Sequence, residues 1–137
     1  MVKQISIKLL QCDETSPYTG RVYPLEEMEK AVAKYQEKIA NETAYGTFGT
    51  NPKDMAPDVM DITKISHRVT ELSINEDGEV LANVEFMDTP QGKLAMSLAI
   101  DNPELVRLSP SMIGWVRDNS EVYDAELFQT TWLPTED

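Results

Sequence analysis

At 137 residues, 41% of them hydrophobic, the chain has the length and apolar content of one domain, 1–137, built around one core. Its 24 acidic and 12 basic side chains leave a net charge of −12, which argues against nucleic acid and anionic membrane as partners; the dispersed acidic residues read first as solvated faces, with a basic partner surface as the alternative. A single cysteine, Cys12, forbids an internal disulfide, and one Cys with one His makes no zinc-type ligand set, so neither metal nor cofactor is expected.

The N-terminal MVKQISIKLLQ has too short an apolar run for a signal peptide or a spanning helix, which predicts a protein that is not exported. In it Ile5, Ile7 and Leu9 alternate with Ser6, Lys8 and Leu10, predicting a strand over Lys3–Gln11. Ser16-Pro17 and Thr19-Gly20 then mark turns, and Arg21-Val22-Tyr23 allows a brief extended piece. Pro24 fits a helix start, Glu26 and Glu27 suit its positive end, and Leu25, Met28, Ala31, Val32, Tyr35 and Ile39 recur at helical spacing. The first helix is predicted over Leu25 to Asn41.

Tyr45–Phe48 reads as a short strand, and Thr50–Asp61, with two prolines among polar residues, as an exposed loop. The strongest pattern follows. Val80, Ala82, Val84 and Phe86 alternate with Glu79, Leu81, Asn83 and Glu85, while Asn75-Glu76-Asp77-Gly78 supplies a hairpin turn, so Ile62–Phe86 reads as one hairpin. Its first arm changes phase between Val69 and Leu72, which predicts a bulge near Thr70 or Glu71.

Thr89 as N-cap with Pro90 behind it predicts a second helix over Pro90–Asp101, with Leu94, Ala95, Leu98 and Ala99 as its apolar stripe and Asn102-Pro103 as its stop. Two more strands are predicted at Val106–Val116, interrupted by Pro110, and Val122–Leu133, joined by the turn Asp118-Asn119-Ser120. Strands outnumber helices at short spacing. The fold class expected is therefore α+β, a closed or nearly closed, mainly antiparallel β-barrel with two flanking helices.

Four local patterns also fall into one order: Thr19-Gly20-Arg21-Val22-Tyr23-Pro24, Asp61-Ile62-Thr63-Lys64-Ile65-Ser66-His67-Arg68-Val69, Asp88-Thr89-Pro90-Gln91-Gly92-Lys93 and Leu108-Ser109. With the ending Tyr123-Asp124-Ala125-Glu126-Leu127-Phe128, this order resembles the prohead maturation proteases of tailed phages, whose barrel is similar to the herpesvirus maturation protease. The resemblance implies a serine nucleophile at Ser109 and an activating imidazole from a Gly-x-x-x-His-Pro type motif. Here that stretch is Gly49-Thr50-Asn51-Pro52, so Asn51 stands at the position of the base, and an amide cannot take a proton from serine. Pro110 beside Ser109 also lacks the backbone N–H that an oxyanion site would use.

No catalytic residue is therefore expected, and Asn51 and Ser109 are read as vestigial. His67 has two readings, a surviving catalytic imidazole or a strand residue packed and bonded locally, and the second is preferred because it belongs to the strand pattern. Ser109 and Ser111 are read as strand-end hydroxyls capping a turn. The resemblance together with the missing base implies a non-catalytic virion structural protein; by analogy with what a phage would retain such a barrel for, it is read as a decoration or cement protein, with a scaffold-core or assembly-chaperone role fitting nearly as well, and with the major capsid protein as partner and further copies of itself as a second candidate. It would work in the virion capsid and in the host cytoplasm during assembly. The alternative is an active serine endopeptidase that cleaves scaffold and capsid precursors. Met55, Val59 and Met60, flexible or apolar side chains in an exposed loop, are the candidate partner contacts.

Overall fold

The computed structural model describes residues 4–49, 56 and 58–135. Six strands, β1 (Gln4–Gln11), β2 (Tyr45–Phe48), β3 (Ile65–Ile74), β4 (Glu79–Phe86), β5 (Val106–Val116) and β6 (Val122–Pro134), form one sheet in the order β1-β4-β3-β2-β6-β5. Two helices, α1 (Leu25–Ala40) and α2 (Pro90–Asp101), complete the fold. None of the helices among the described residues is long and apolar enough to cross a membrane.

The sheet is a curled half-barrel and not a closed barrel. Its two edge strands, β1 and β5, face each other across a cavity of about 480 Å3 without forming a ladder. It is also mixed: β2 and β6 run parallel, with Thr47 beside Thr131 and Phe48 beside Trp132, while the other pairings are antiparallel. One face carries the core. Val80, Ala82, Val84 and Phe86 of β4 meet Val69 and Leu72 of β3 and Trp132 of β6 there. The anticipated bulge is present, since Val69 faces Val84 and Glu71 faces Asn83, leaving Thr70 as the extra residue.

β2 is only four residues long, so β3 and β6 run past its start with a gap between them. Helix α1 fills that gap with the face made by Met28, Ala31, Val32 and Tyr35. Gln36 Nε2 donates to the Leu72 carbonyl at 2.9 Å and Lys38 Nζ to the Phe128 carbonyl at 3.0 Å, so the helix supplies bonds to both flanking strands. At its other end Glu27 Oε1 accepts from the Asp124 backbone N–H at 2.8 Å, and this bond, reinforced by Lys30, holds the Glu27 carboxyl below its usual range.

Four sequence expectations need correction. Ile62–Lys64 is a 3₁₀ turn, not strand, because Asp61 Oδ1 accepts from the Thr63 N–H at 3.0 Å and the Thr63 hydroxyl at 2.6 Å, closing a helical cap ahead of β3. Pro110 does not interrupt β5, because β5 is an edge strand, where a residue without an N–H is tolerated. Ser109 and Ser111 are consequently mid-strand and cap no turn. In α2, Thr89 caps as expected, accepting from the Gly92 N–H at 3.0 Å, but the buried face is Gly92, Ala95 and Ala99, while Leu94 is exposed. Small residues are selected because the helix lies on the backbone itself: a Cβ at Gly92 would collide with the carbonyl of Met87 and crowd that of Ser66.

Candidate functional site

The elements that carry the candidate residues meet where β2, β6 and β5 lie side by side. Ser109 faces Thr131 across the β5–β6 ladder, and Thr131 faces Thr47 across the β6–β2 pair. Directly paired residues share a face of the sheet. Ser109, Thr131 and Thr47 therefore form one row on one face, and the Thr47 hydroxyl donates to that of Thr131 at 3.0 Å.

His67 lies on the other face. Its Nε2 is 2.7 Å from the hydroxyl of Thr130, the neighbour of Thr131 along β6, and successive strand residues point to opposite faces. The side chain reaches Thr130 by crossing over β2 at Gly46, where any Cβ would collide with the imidazole ring. Its Nδ1 is 2.9 Å from the Ser66 hydroxyl, an adjacent residue brought alongside by the register shift between Gly46 and Thr47. The ring meets the indole of Trp132 edge-on, at 5.9 Å between centroids, and Trp132 stacks on Phe86.

Both ring nitrogens of His67 are thus bonded to hydroxyls and the residue is wholly buried. Burial lowers its pKa to about 3, so the imidazole is neutral at pH 7, with one nitrogen donating and the other accepting. The sheet separates it from Ser109. Among the described residues none hydrogen-bonds the Ser109 hydroxyl.

Ser109 lines the cavity between the sheet edges, together with Lys8 and Leu10 of β1, Tyr18 of the 12–24 loop, Arg107 and Pro110. The Arg107 guanidinium stacks on the Tyr18 ring at 3.8 Å, which fixes one wall. Ser109, the Arg107 cation and apolar residues thus share the lining of one cavity. Sequence reasoning identified Ser109 but not Arg107 or Tyr18, whose pairing depends on a contact between residues far apart in the chain.

Asn51 and Met55 lie outside the described residues. Val59 is 48% exposed and Met60 half-buried, and the Val59 carbonyl accepts from Gln129 Nε2 at 2.7 Å, which ties that part of the loop to β6. The single cysteine, Cys12, is buried beside Asp13 and Glu29, and burial first, then those two charges, push its thiol up to about 11. It is expected to resist a thiol reagent at pH 8 in the native protein and to react fully once urea exposes it; rapid native labelling would show the site to be open. Among the described residues no group of three or more His, Cys, Asp or Glu side chains is placed to hold a metal ion.

No family model matches the chain, and no curated protein matches it significantly. Solved structures do. The chain is similar to the bacteriophage T4 capsid assembly protease gp21, with a TM-score of 0.76, 20% identity, and coverage of 96% of this chain and 82% of that one. The fold is prohead-protease-like.

Proposed function

We propose that this chain is a non-catalytic structural protein of a tailed-phage head, a decoration or cement protein made on the fold of a prohead protease. The observation that carries the reading is the placement of its single imidazole. His67 is buried, bonded through both nitrogens and on the opposite face of the sheet from Ser109. A serine hydroxyl is a weak nucleophile without a base in hydrogen-bond reach, and Asn51, at the base position by resemblance, supplies an amide. The partner is the major capsid protein, through a basic or mixed surface that complements the acidic chain, with Met55, Val59 and Met60 among the contacts.

The second reading is an active endopeptidase that cleaves scaffold and capsid precursors. Two observations favour it: the likeness to a capsid assembly protease, and the place of Ser109 in the lining of a cavity of about 480 Å3.

Incubating the purified protein with a serine-directed fluorophosphonate, and separately with capsid precursor, distinguishes the two. The non-catalytic reading expects no labelling, no cleavage, and a Ser109→Ala variant within about 0.5 kcal/mol of wild-type stability. Labelling and cleavage that both vanish in Ser109→Ala would establish the protease instead.

A further inference from the structure

The outer half of β5 departs from the pattern of the rest of the sheet. On β4 exposure alternates and every second residue is buried, while on β6 Gln129 to Leu133 are buried in succession. From Ile113 to Val116 every residue is exposed, with Trp115 at 66%, Val116 at 45% and Ile113 at 44%. Both faces of this segment therefore stand in solvent, and among the described residues no strand pairs with the edge of β5 away from β6.

Natural edge strands are usually blunted by charge, proline or a bulge. β5 carries Arg107 and Pro110 in its first half, but Ser111-Met112-Ile113-Gly114-Trp115-Val116 holds neither a charge nor a proline. Nor is it bulged. The ladder shifts register twice here, and both extra residues are on β6: Phe128, passed between Ser111 and Met112, and one of the pair Asp124 and Ala125 opposite Gly114, with Asp124 at a φ of 51°. Arg117 lies over the Tyr123 ring at 4.2 Å and braces the two strands just beyond.

The occupant that fits is a second copy of the same edge. Antiparallel pairing about a two-fold axis at Gly114 sets Ile113 against Trp115, Met112 against Val116 and Ser111 against Arg117, each pair occurring twice. No like charges oppose each other in that register, which matters for a chain of net charge −12. Pro110 falls opposite Asp118, past the end of β5, so its missing N–H breaks no bond between the copies.

We infer that the β5 edge from Ser111 to Val116 is a homodimer interface, joining two copies into one continuous sheet through Gly114. The dimer does not depend on whether Ser109 is catalytic.

Sedimentation equilibrium of the full chain from about 1 to 100 μM tests it, alongside hydrogen exchange of the 111–116 amides. A concentration-dependent dimer is expected, with those amides gaining protection as it forms. Trp115→Lys and, separately, Ile113→Lys should each raise the dissociation constant by about tenfold or more while leaving unchanged the melting temperature measured at concentrations where the chain is monomeric, because both side chains are exposed in the monomer. A monomer throughout the range would overturn the inference. So would a dimer that both variants leave intact, or 111–116 amides that are protected only when capsid protein is added.

Discussion

Lowering the pH from 6.5 to 3 is expected to cost this protein on the order of 4 kcal/mol of stability through His67 alone. The folded pKa, about 3, lies below the ordinary value of 6.5, because burial penalises the charged ring. Between those values the unfolded chain takes up a proton that the folded chain refuses. The contribution is therefore fully present above pH 6.5 and is lost as the pH falls toward 3. The groups packed on the ring, Ser66, Thr130, Trp132, Phe86 and Gly46, include no charge to offset it. Glu27, Asp61 and Glu79 also have lowered folded values and lose stabilising contacts in acid, but only below the ordinary carboxylate range. The window from pH 6.5 to 4.5 therefore belongs to His67. Urea unfolding at stepped pH should show an uptake of about one proton there, absent from a His67→Asn variant that is less stable at pH 7 but flatter below it. Equal slopes for the two proteins would mean that the imidazole is reached by water.

Gly46→Ala is expected to destabilise by about 3 kcal/mol, or roughly 10 °C in melting temperature. The backbone at Gly46 does not have a positive φ, so the effect is steric. The added methyl would occupy the space through which His67 reaches Thr130, and would also meet the Thr130 carbonyl. Gly49 provides the contrast: its φ of +78° strains an alanine, but nothing lies near its Cβ position, so about 1 kcal/mol is expected. Combining Gly46→Ala with His67→Ala should cost less than the sum of the two, since removing the ring makes room for the methyl. A Gly46→Ala protein that melts with wild type would contradict the packing of His67 over β2.

Much of the architecture is legible in local sequence. Thr89-Pro90 and Asn102-Pro103 bound α2 because capping and proline geometry act within a few residues. The bulge at Thr70 shows as a phase change between Val69 and Leu72 because one face of β3 is buried on both sides of it. What local pattern does not reveal is the sheet order. The parallel pairing of β2 with β6 joins Thr47 to Thr131, and no periodicity within either strand predicts it. That pairing decides which face Ser109 shares, and so whether His67 can reach it. The same long-range packing explains Gly46 and Gly92, which read as ordinary strand and helix residues until the atoms facing them are known. Pro110 reads as a strand breaker because its sequence does not say that β5 lies at an edge.

If the protein is a cement protein, raising salt should release it from capsids partially and in a graded way, since exposed ion pairs weaken while apolar contacts remain. Particles lacking it should assemble and then lose DNA at a lower temperature, and purified protein added back should restore them. The most direct test is quantitative mass spectrometry of purified mature virions. The account predicts this chain intact, in a copy number commensurate with the capsid lattice. A few copies, or none, would contradict it and point to a protein that acts during assembly and is then lost.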